Sequence, residues 1–498
     1  MNRPIRVMAI SCLVLFVALM INVNYVQYIA AEDLNARGDN RRVVVDEYSR
    51  KRGNIVVAGE SVAQSRKVDD EYDYLRRYSE PELYSNLTGY YSFQYGSAGL
   101  ENSQNLILSG NDPGLFVDRV VDLVSSDEPE GGSVALTVDP AAQRAAYEGL
   151  LSLGADTNGA VVALDPQSGA VLAMVSTPGY DPNRLASHDF ESVQSYYERL
   201  SADPAKPNLD RTRRDVYAPG STFKLITAAA ALSDDELDLD AQSVVRAGAT
   251  LGFADGGGYQ LTNQSNTYCG ADTLSMTTAL AASCNVVFGR LGLEVGPEAL
   301  AAQAERFGFG DDNFLDELTV VPSRFGSAEP DTLNGPETAQ SAIGQFDVAA
   351  TPLQMAMVVA GIANDGTVMK PYVVDRTYSP DATVLEETDP EVFTEEAVTP
   401  EVAAELREMM IGVVEAPEGT ASSVAIDGAT AGGKTGTAER GEEDNPYAWM
   451  VAFAGVDEPE VAVAVLVQDA SGVAPSDISG GGLAGPIAKA VMEAVIQS

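Results

Sequence analysis

A single histidine, His188, is all that the 498 residues contain. Any Ser-His-Asp triad would have to be built on it, and a His-rich zinc site is excluded. It stands in the polar stretch Ala186-Ser187-His188-Asp189 and is read as a solvated loop residue. Cations are also scarce, with 31 Lys plus Arg against 73 Asp plus Glu and a net charge of -42. No basic stripe is available to neutralise phosphates, so nucleic acid is excluded as a partner. The acidic excess fits a body kept apart from its copies by like-charge repulsion and says nothing about substrate. Cysteines are only three: Cys12, Cys269 and Cys284. Spacing alone does not pair the last two, because disulfide geometry is demanding.

Apolar residues, by contrast, make up 45% of the chain, enough for a large core. The length implies two or three domains. From Ile5 to Val23 the sequence is apolar except for Arg6, Ser11 and Asn22. That run matches the ~20 residues a helix needs to cross a bilayer. Arg3 and Arg6 precede it, and Glu32 and Asp33 follow, so the body is expected outside the cytoplasm. No compact small-residue cleavage site ends the run, which reads as an uncleaved anchor rather than a signal peptide. Cys12 belongs to that helix.

Three regions follow from the patterning. Residues 1–30 form a cytoplasmic tip and transmembrane anchor. Residues 31–130 are polar and turn-rich, with short extended pieces at Arg42–Val45, Gly53–Gly59 and Tyr90–Gly96, as in a non-catalytic pedestal. A linker-like stretch, Asp127–Gly132, opens a third region, 131–498. There, Ser133–Val138 reads as a strand and Pro140–Leu150 as a helix with proline in its first turn. Two apolar strands flank the turn Asp165-Pro166-Gln167-Ser168-Gly169. Helical patterns fill 221–365, strands return at Tyr447–Gly455 and Val461–Gln468, and a helix closes the chain. Strands at both ends with helices between predict one α/β domain whose sheet joins segments distant in sequence.

Three short motifs carry chemistry. In Ser221-Thr222-Phe223-Lys224, after Tyr217-Ala218-Pro219-Gly220, the serine opens a helix and the lysine lies on the same face. A serine hydroxyl needs a base to become a nucleophile. A lysine serves only if burial or a neighbouring cation depresses its pKa. In Ser283-Cys284-Asn285 the polar residues are two apart and do not share a helix face, so a junction is required for both to reach one site. In Lys434-Thr435-Gly436-Thr437, a β-prone segment allows a peptide to lie alongside as an added strand. Lys434 and the threonine hydroxyls suit a carboxylate. Gly428 to Thr435 also satisfies the Walker A letters, but β-like residues follow where a phosphate loop would open a helix, so nucleotide binding is rejected.

Taken singly the motifs are weak; in this order, with spacings of 62 and 151 residues, they match the set of the active-site serine penicillin-interacting enzymes. The chain resembles the class B penicillin-binding proteins, of the PbpA-like peptidoglycan D,D-transpeptidase kind found in actinobacteria. Arg52-Gly53-Asn54-Ile55 and Gly99-Leu100-Glu101 are similar to that family's pedestal motifs. Ile343-Gly344-Gln345 and Thr351–Met355 are similar to segments of its catalytic domain. The resemblance implies an α/β transpeptidase domain of the serine β-lactamase-like fold, a β-rich pedestal (dimerisation) domain and a transmembrane helix. It implies catalytic roles for Ser221 as nucleophile, Lys224 as base, Ser283 as proton shuttle and Lys434 as its tuner. Asn285, Thr435, Gly436 and Thr437 would bind substrate. The backbone N–H groups of Ser221 and Thr437 would form the oxyanion hole.

Its partners would be peptidoglycan stem peptides (a D-Ala-D-Ala donor and an amine acceptor), β-lactam antibiotics, and membrane proteins of the divisome or elongation machinery. No cofactor and no metal are implied. A Cys269–Cys284 disulfide is suggested as a pin on the loop between site residues. The alternatives are a D,D-carboxypeptidase, a β-lactamase, or a β-lactam-binding sensor or scaffold. The pedestal and anchor favour the transpeptidase, and no glycosyltransferase motif precedes the catalytic region.

Overall fold

The computed structural model describes residues 2–26, 48, 50–115, 130–253, 258–264, 267–326, 329–440, 445–470, 473 and 478–497. The strand read at Arg42–Val45 and part of the linker at 127–129 lie outside the described residues. The strands that position the site are β1 Ile55–Val57, β2 Glu60–Lys67, β3 Tyr74–Tyr78, β4 Ser133–Leu136, β5 Asn158–Leu164, β6 Val171–Thr177, β7 Val374–Tyr378, β8 Val384–Glu387, β9 Thr430–Ala438, β10 Tyr447–Gly455 and β11 Val461–Asp469. Among the helices are α1 Asn2–Asn24, α2 Pro140–Leu151, α3 Lys224–Leu232, α4 Met276–Ala281, α5 Asn285–Val295, α6 Pro352–Ala363, α7 Pro400–Glu415 and α8 Gly485–Ile496.

Helix α1 exposes its apolar side chains along its length, and Ile5–Asn24 is long and apolar enough to cross a membrane. The core of the third region is a five-stranded antiparallel sheet in the order β9-β10-β11-β5-β6. Its members are distant in sequence, as expected. Val461–Val467 is unbroken by any polar residue and is buried on both faces. Helices α2 and α8 pack together on one side, and α6 covers the other. Helix α6 reads Pro-Leu-Gln-Met-Ala-Met-Val-Val-Ala-Gly-Ile-Ala and is buried at every position, the fate of a helix apolar all round. Thr351 caps it by accepting from Gln354 N–H, and Gln354 Nε2 donates to the Phe307 carbonyl at 2.6 Å, so the Thr351–Met355 motif is a buried cap.

The second sheet runs β8-β7-β4-β1-β2-β3, with β1 parallel to β4 and the other pairs antiparallel. It does not respect the boundary expected at residue 130/131. Strand β4 comes from beyond it, and β7 and β8 come from an excursion more than two hundred residues later. Such pairing is set by long-range geometry that composition does not display. Within the pedestal, Glu101 is fully buried and accepts from Arg52 Nε and Arg76 Nε, both at 2.6 Å. Arg52 also donates to Asn105 Oδ1 at 2.6 Å and lies 4.2 Å from the centre of the Tyr91 ring. Arg76 donates to the Gly53 carbonyl, and Tyr78 O–H donates to Glu101 at 3.1 Å. The two pedestal motifs are thus the halves of one buried ion cluster. Burial pushes the Glu101 carboxyl up, but Arg76 and Arg52 together hold it below its ordinary value.

His188 differs from its reading as a solvated residue. Its Nδ1 lies 2.6 Å from Asp70 Oδ2, its ring packs 4.8 Å from Tyr72, and only 13% of the side chain is exposed. A polar neighbourhood in sequence did not reveal a partner 118 positions away.

Candidate active site

The segment before Ser221 is held rigidly. Tyr217 and Ala350 exchange backbone hydrogen bonds at 2.9 Å each, and Trp449 Nε1 donates to the Ala218 carbonyl at 2.9 Å. Gly220 adopts φ 54° and donates its N–H to the Gly344 carbonyl at 2.9 Å. A Cβ on Gly344 would lie 2.1 Å from the Gly220 carbonyl oxygen, so the Ile343-Gly344-Gln345 motif is a prop that only glycine allows. Residues Gly220–Phe223 form a single 3₁₀ turn that leads into α3, which places Ser221 at the helix start as expected.

Ser283 occupies the junction of α4 and α5 with φ 57°, a conformation that costs a non-glycine residue about 1–2 kcal/mol. That turn lets Ser283 and Asn285 point to one place. Cys284 between them is bonded to Cys269, with Cα atoms 5.3 Å apart. Asn285 starts α5 and donates to the Thr262 carbonyl at 3.0 Å. The third motif lies on β9, where Lys434 pairs with Val451 and Gly436 with Trp449 of β10. A phosphate loop is thereby ruled out, since Thr430–Ala438 is a strand throughout.

These elements converge. Ser221, Ser283, Thr435 and Thr437 line one cavity of about 560 Å³, together with Gln264, Thr267, Thr420 and the segment Ser479–Gly482. Behind them, Lys224 and Lys434 are completely buried. Lys224 Nζ lies 2.8 Å from the Ser283 carbonyl, 2.7 Å from Asn285 Oδ1 and 3.2 Å from Ser283 Oγ. Lys434 Nζ lies 2.9 Å from Ser283 Oγ and 2.9 Å from its own strand's Thr435 carbonyl. Sequence spacing suggested that Lys224 reaches Ser221. In the structure its contacts go instead to Ser283 and Asn285, whose carbonyl oxygens satisfy a buried amine that water cannot reach. Lys434, which its motif alone suggested as a carboxylate partner and the resemblance as the tuner of Ser283, turns toward Ser283.

Among the described residues neither amine has a carboxylate partner. Burial, and secondarily the charge of Lys434, holds Lys224 well below the lysine range. Burial pushes Lys434 down to about 7. A neutral amine has two N–H groups and one lone pair. The Ser283 carbonyl and Asn285 Oδ1 can only accept, so they take both N–H groups of a neutral Lys224 and leave its lone pair free for a hydroxyl proton. The Ser221 hydroxyl and the Ser283 hydroxyl that bridges two buried amines therefore face one cavity whose wall is a strand. The only histidine is engaged with Asp70, and no group of metal-ligating side chains occurs among the described residues.

Sequence reasoning missed Thr420, Trp449 and the glycine-rich segment at 479–482. None belongs to a motif, and each reaches the site through a contact with a motif residue.

The penicillin binding protein transpeptidase domain matches residues 159–493, and the penicillin binding protein A dimerisation domain matches residues 52–134. The chain is 40% identical over 503 residues to the peptidoglycan D,D-transpeptidase PbpA of Mycolicibacterium smegmatis, covering 100% of this chain and 99% of that protein. It is 38% identical over 506 residues to PbpA of Mycobacterium tuberculosis, with the same coverage of 100% and 99%. The solved ceftriaxone acyl-enzyme of penicillin-binding protein A from M. tuberculosis superposes with a TM-score of 0.83 at 39% identity, covering 91% of this chain and 100% of that one.

Proposed function

The chain belongs to the penicillin-binding protein transpeptidases, and from that premise we propose that it is a peptidoglycan D,D-transpeptidase acting through an acyl-enzyme on Ser221. The observation that supports this most is the placement of Ser283 Oγ between two buried, carboxylate-free amines, 3.2 Å from Lys224 and 2.9 Å from Lys434.

In this reading the steps are assigned to the residues as the family resemblance implies. Neutral Lys224 takes the Ser221 proton, and the oxygen attacks the carbonyl of the penultimate D-Ala. Negative charge on the tetrahedral oxygen is met by the backbone N–H groups of Ser221 and Thr437. Ser283 passes a proton to the departing amine of the terminal D-Ala and is resupplied from the lysines. The C–N bond breaks, and an ester on Ser221 remains. The amine of a second stem peptide then attacks the ester, giving up its proton toward Lys224, and the new amide releases Ser221 with its proton restored. Asn285 holds a peptide amide, while Thr435 and Thr437 hold the terminal carboxylate along β9, with Gly436 allowing close approach. A β-lactam mimics the donor and leaves a stable ester.

Helix α1 would anchor the chain in a single pass, with residues beyond it on the extracytoplasmic side, where both stem peptides and β-lactams are found. Residues 31–130, with the strands that complete their sheet, would serve as pedestal for partners of the division or elongation machinery.

Labelling with a fluorescent penicillin tests the nucleophile: Ser221→Ala is expected to abolish labelling, and retention at the parental rate would refute the assignment. Paired stem peptides then separate the outcomes. Crosslinked dimer supports the transpeptidase, whereas only shortened monomer indicates a D,D-carboxypeptidase.

A further inference from the structure

We propose that Thr420, which belongs to none of the three motifs, is a positioning residue that orients the Thr435 hydroxyl toward the substrate's terminal carboxylate. The inference rests on the reading of the site given above. The Thr420 and Thr435 hydroxyl oxygens lie 2.8 Å apart, and both side chains line the cavity that contains Ser221.

The backbone around Thr420 is fixed on both sides. Gly419 N–H donates to the Ala416 carbonyl at 2.9 Å, and Ala421 N–H donates to the Val413 carbonyl at 3.0 Å, folding the chain back onto the end of α7. The Thr420 carbonyl is packed against Gly481 so closely that a Cβ there would lie 2.7 Å from it. The Thr420 side chain is therefore presented to β9 by a frame that does not depend on the substrate.

A hydroxyl has one proton and two lone pairs. When Thr435 donates to a carboxylate, its proton is spent, and the contact with Thr420 is possible only if Thr420 donates to Thr435. Substrate binding thus polarises the pair in one direction, from Thr420 to Thr435 to carboxylate. Each bond strengthens the next, and the last is charge-assisted. Without the Thr420 hydroxyl, Thr435 keeps its proton but loses the partner that fixes its rotor. The loss should appear only with ligands that carry the negative charge.

The test compares acylation of the full-length protein by penicillin G and by its uncharged methyl ester, each measured in competition with a fluorescent penicillin. The ratio of the two second-order rate constants is the readout. Thr420→Val, which keeps shape and removes the hydroxyl, is expected to lower the acid-to-ester ratio about tenfold, in line with losing the hydrogen bond that orients a donor to a charged group. Thr420→Ser is expected to restore it. If Thr420→Val leaves the ratio at the parental value, the proposal is overturned, whether both rates hold or both fall together as a purely structural tie would make them. Labelling that persists in Ser221→Ala would instead overturn the functional reading on which the proposal stands.

Discussion

Arg52, Glu101 and Arg76 in the pedestal are nearly as far from water as Lys224 and Lys434 in the active site, but the two clusters meet the cost of burial by opposite means. In the pedestal, one carboxylate takes both guanidinium groups at 2.6 Å, and a tyrosine, an asparagine and a backbone carbonyl fill remaining positions. One carboxylate answers two cations, so a positive excess remains, but each guanidinium touches the carboxylate, and the proton affinity of Glu101 moves away from neutrality. In the active site, two lysine amines share a hydroxyl, and among the described residues they find only neutral acceptors. Nothing matches their charge, so their proton affinities fall toward neutrality. Matched burial locks protons and holds a fold. Unmatched burial loosens protons and supports chemistry, at a cost in stability.

The largest effect expected from this contrast is in the pedestal. Glu101→Gln leaves two arginines buried without a counter-charge, and breaking such a cluster costs on the order of 3–5 kcal/mol. Denaturation should register that loss, while each molecule that remains folded still binds penicillin. A loss below about 1 kcal/mol would show that the cluster does not carry the pedestal.

Lys224→Met removes the proposed base and leaves the fold. Acylation of Ser221 is expected to slow about 10²–10³-fold, the usual worth of a positioned base. The thermal midpoint should be equal to or above that of the parent. A fall in stability as large as that of Glu101→Gln would erase the distinction between the clusters.

The last effect is a change of slope with pH, on which the lost hydrogen bonds of Lys434 weigh against the relieved burial. Lys434 is pushed down to about 7 in the folded chain, and in the unfolded chain it returns to the ordinary value of about 10.4. Between those values the unfolded chain holds a proton that the folded chain lacks, so this residue makes stability rise with pH. Below about 7 both states are protonated and the burial penalty is at its full size. Lys434→Met deletes the penalty. The variant should melt above the parent near pH 6.5, with the gap closing as pH approaches 10. A gap that stays constant or widens with pH would contradict the unmatched-charge account.

Much of the catalytic half was legible in the sequence because its signals are local. The β-like run at Val461–Gln468 marked a strand, which the structure buries on both faces, and the turn Asp165–Gly169 marked the β5–β6 hairpin. The order of the three motifs placed Ser221, Ser283 and the β9 residues in one site. What was not legible depends on contacts between distant segments. The direction of Lys224 follows from two carbonyl oxygens that only the left-handed turn at Ser283 brings within reach. His188 met Asp70 across the boundary between regions, and Thr420 reaches the cavity only because α7 ends against β9. Spacing within a motif can say which residues share a face, but not which acceptor a flexible amine will find.

The return of β7 and β8 to the pedestal sheet means that the chain is braided rather than beaded: it passes from one body to the other, back again, and returns. No single cut releases either body whole. A fragment that begins at residue 131 would keep β8-β7-β4 but lose β1, β2 and β3, and so expose the whole edge of β4 as a template for another chain. The pedestal is therefore a structural companion of the enzyme, and shortening the protein for convenience would exchange a covered seam for a sticky one.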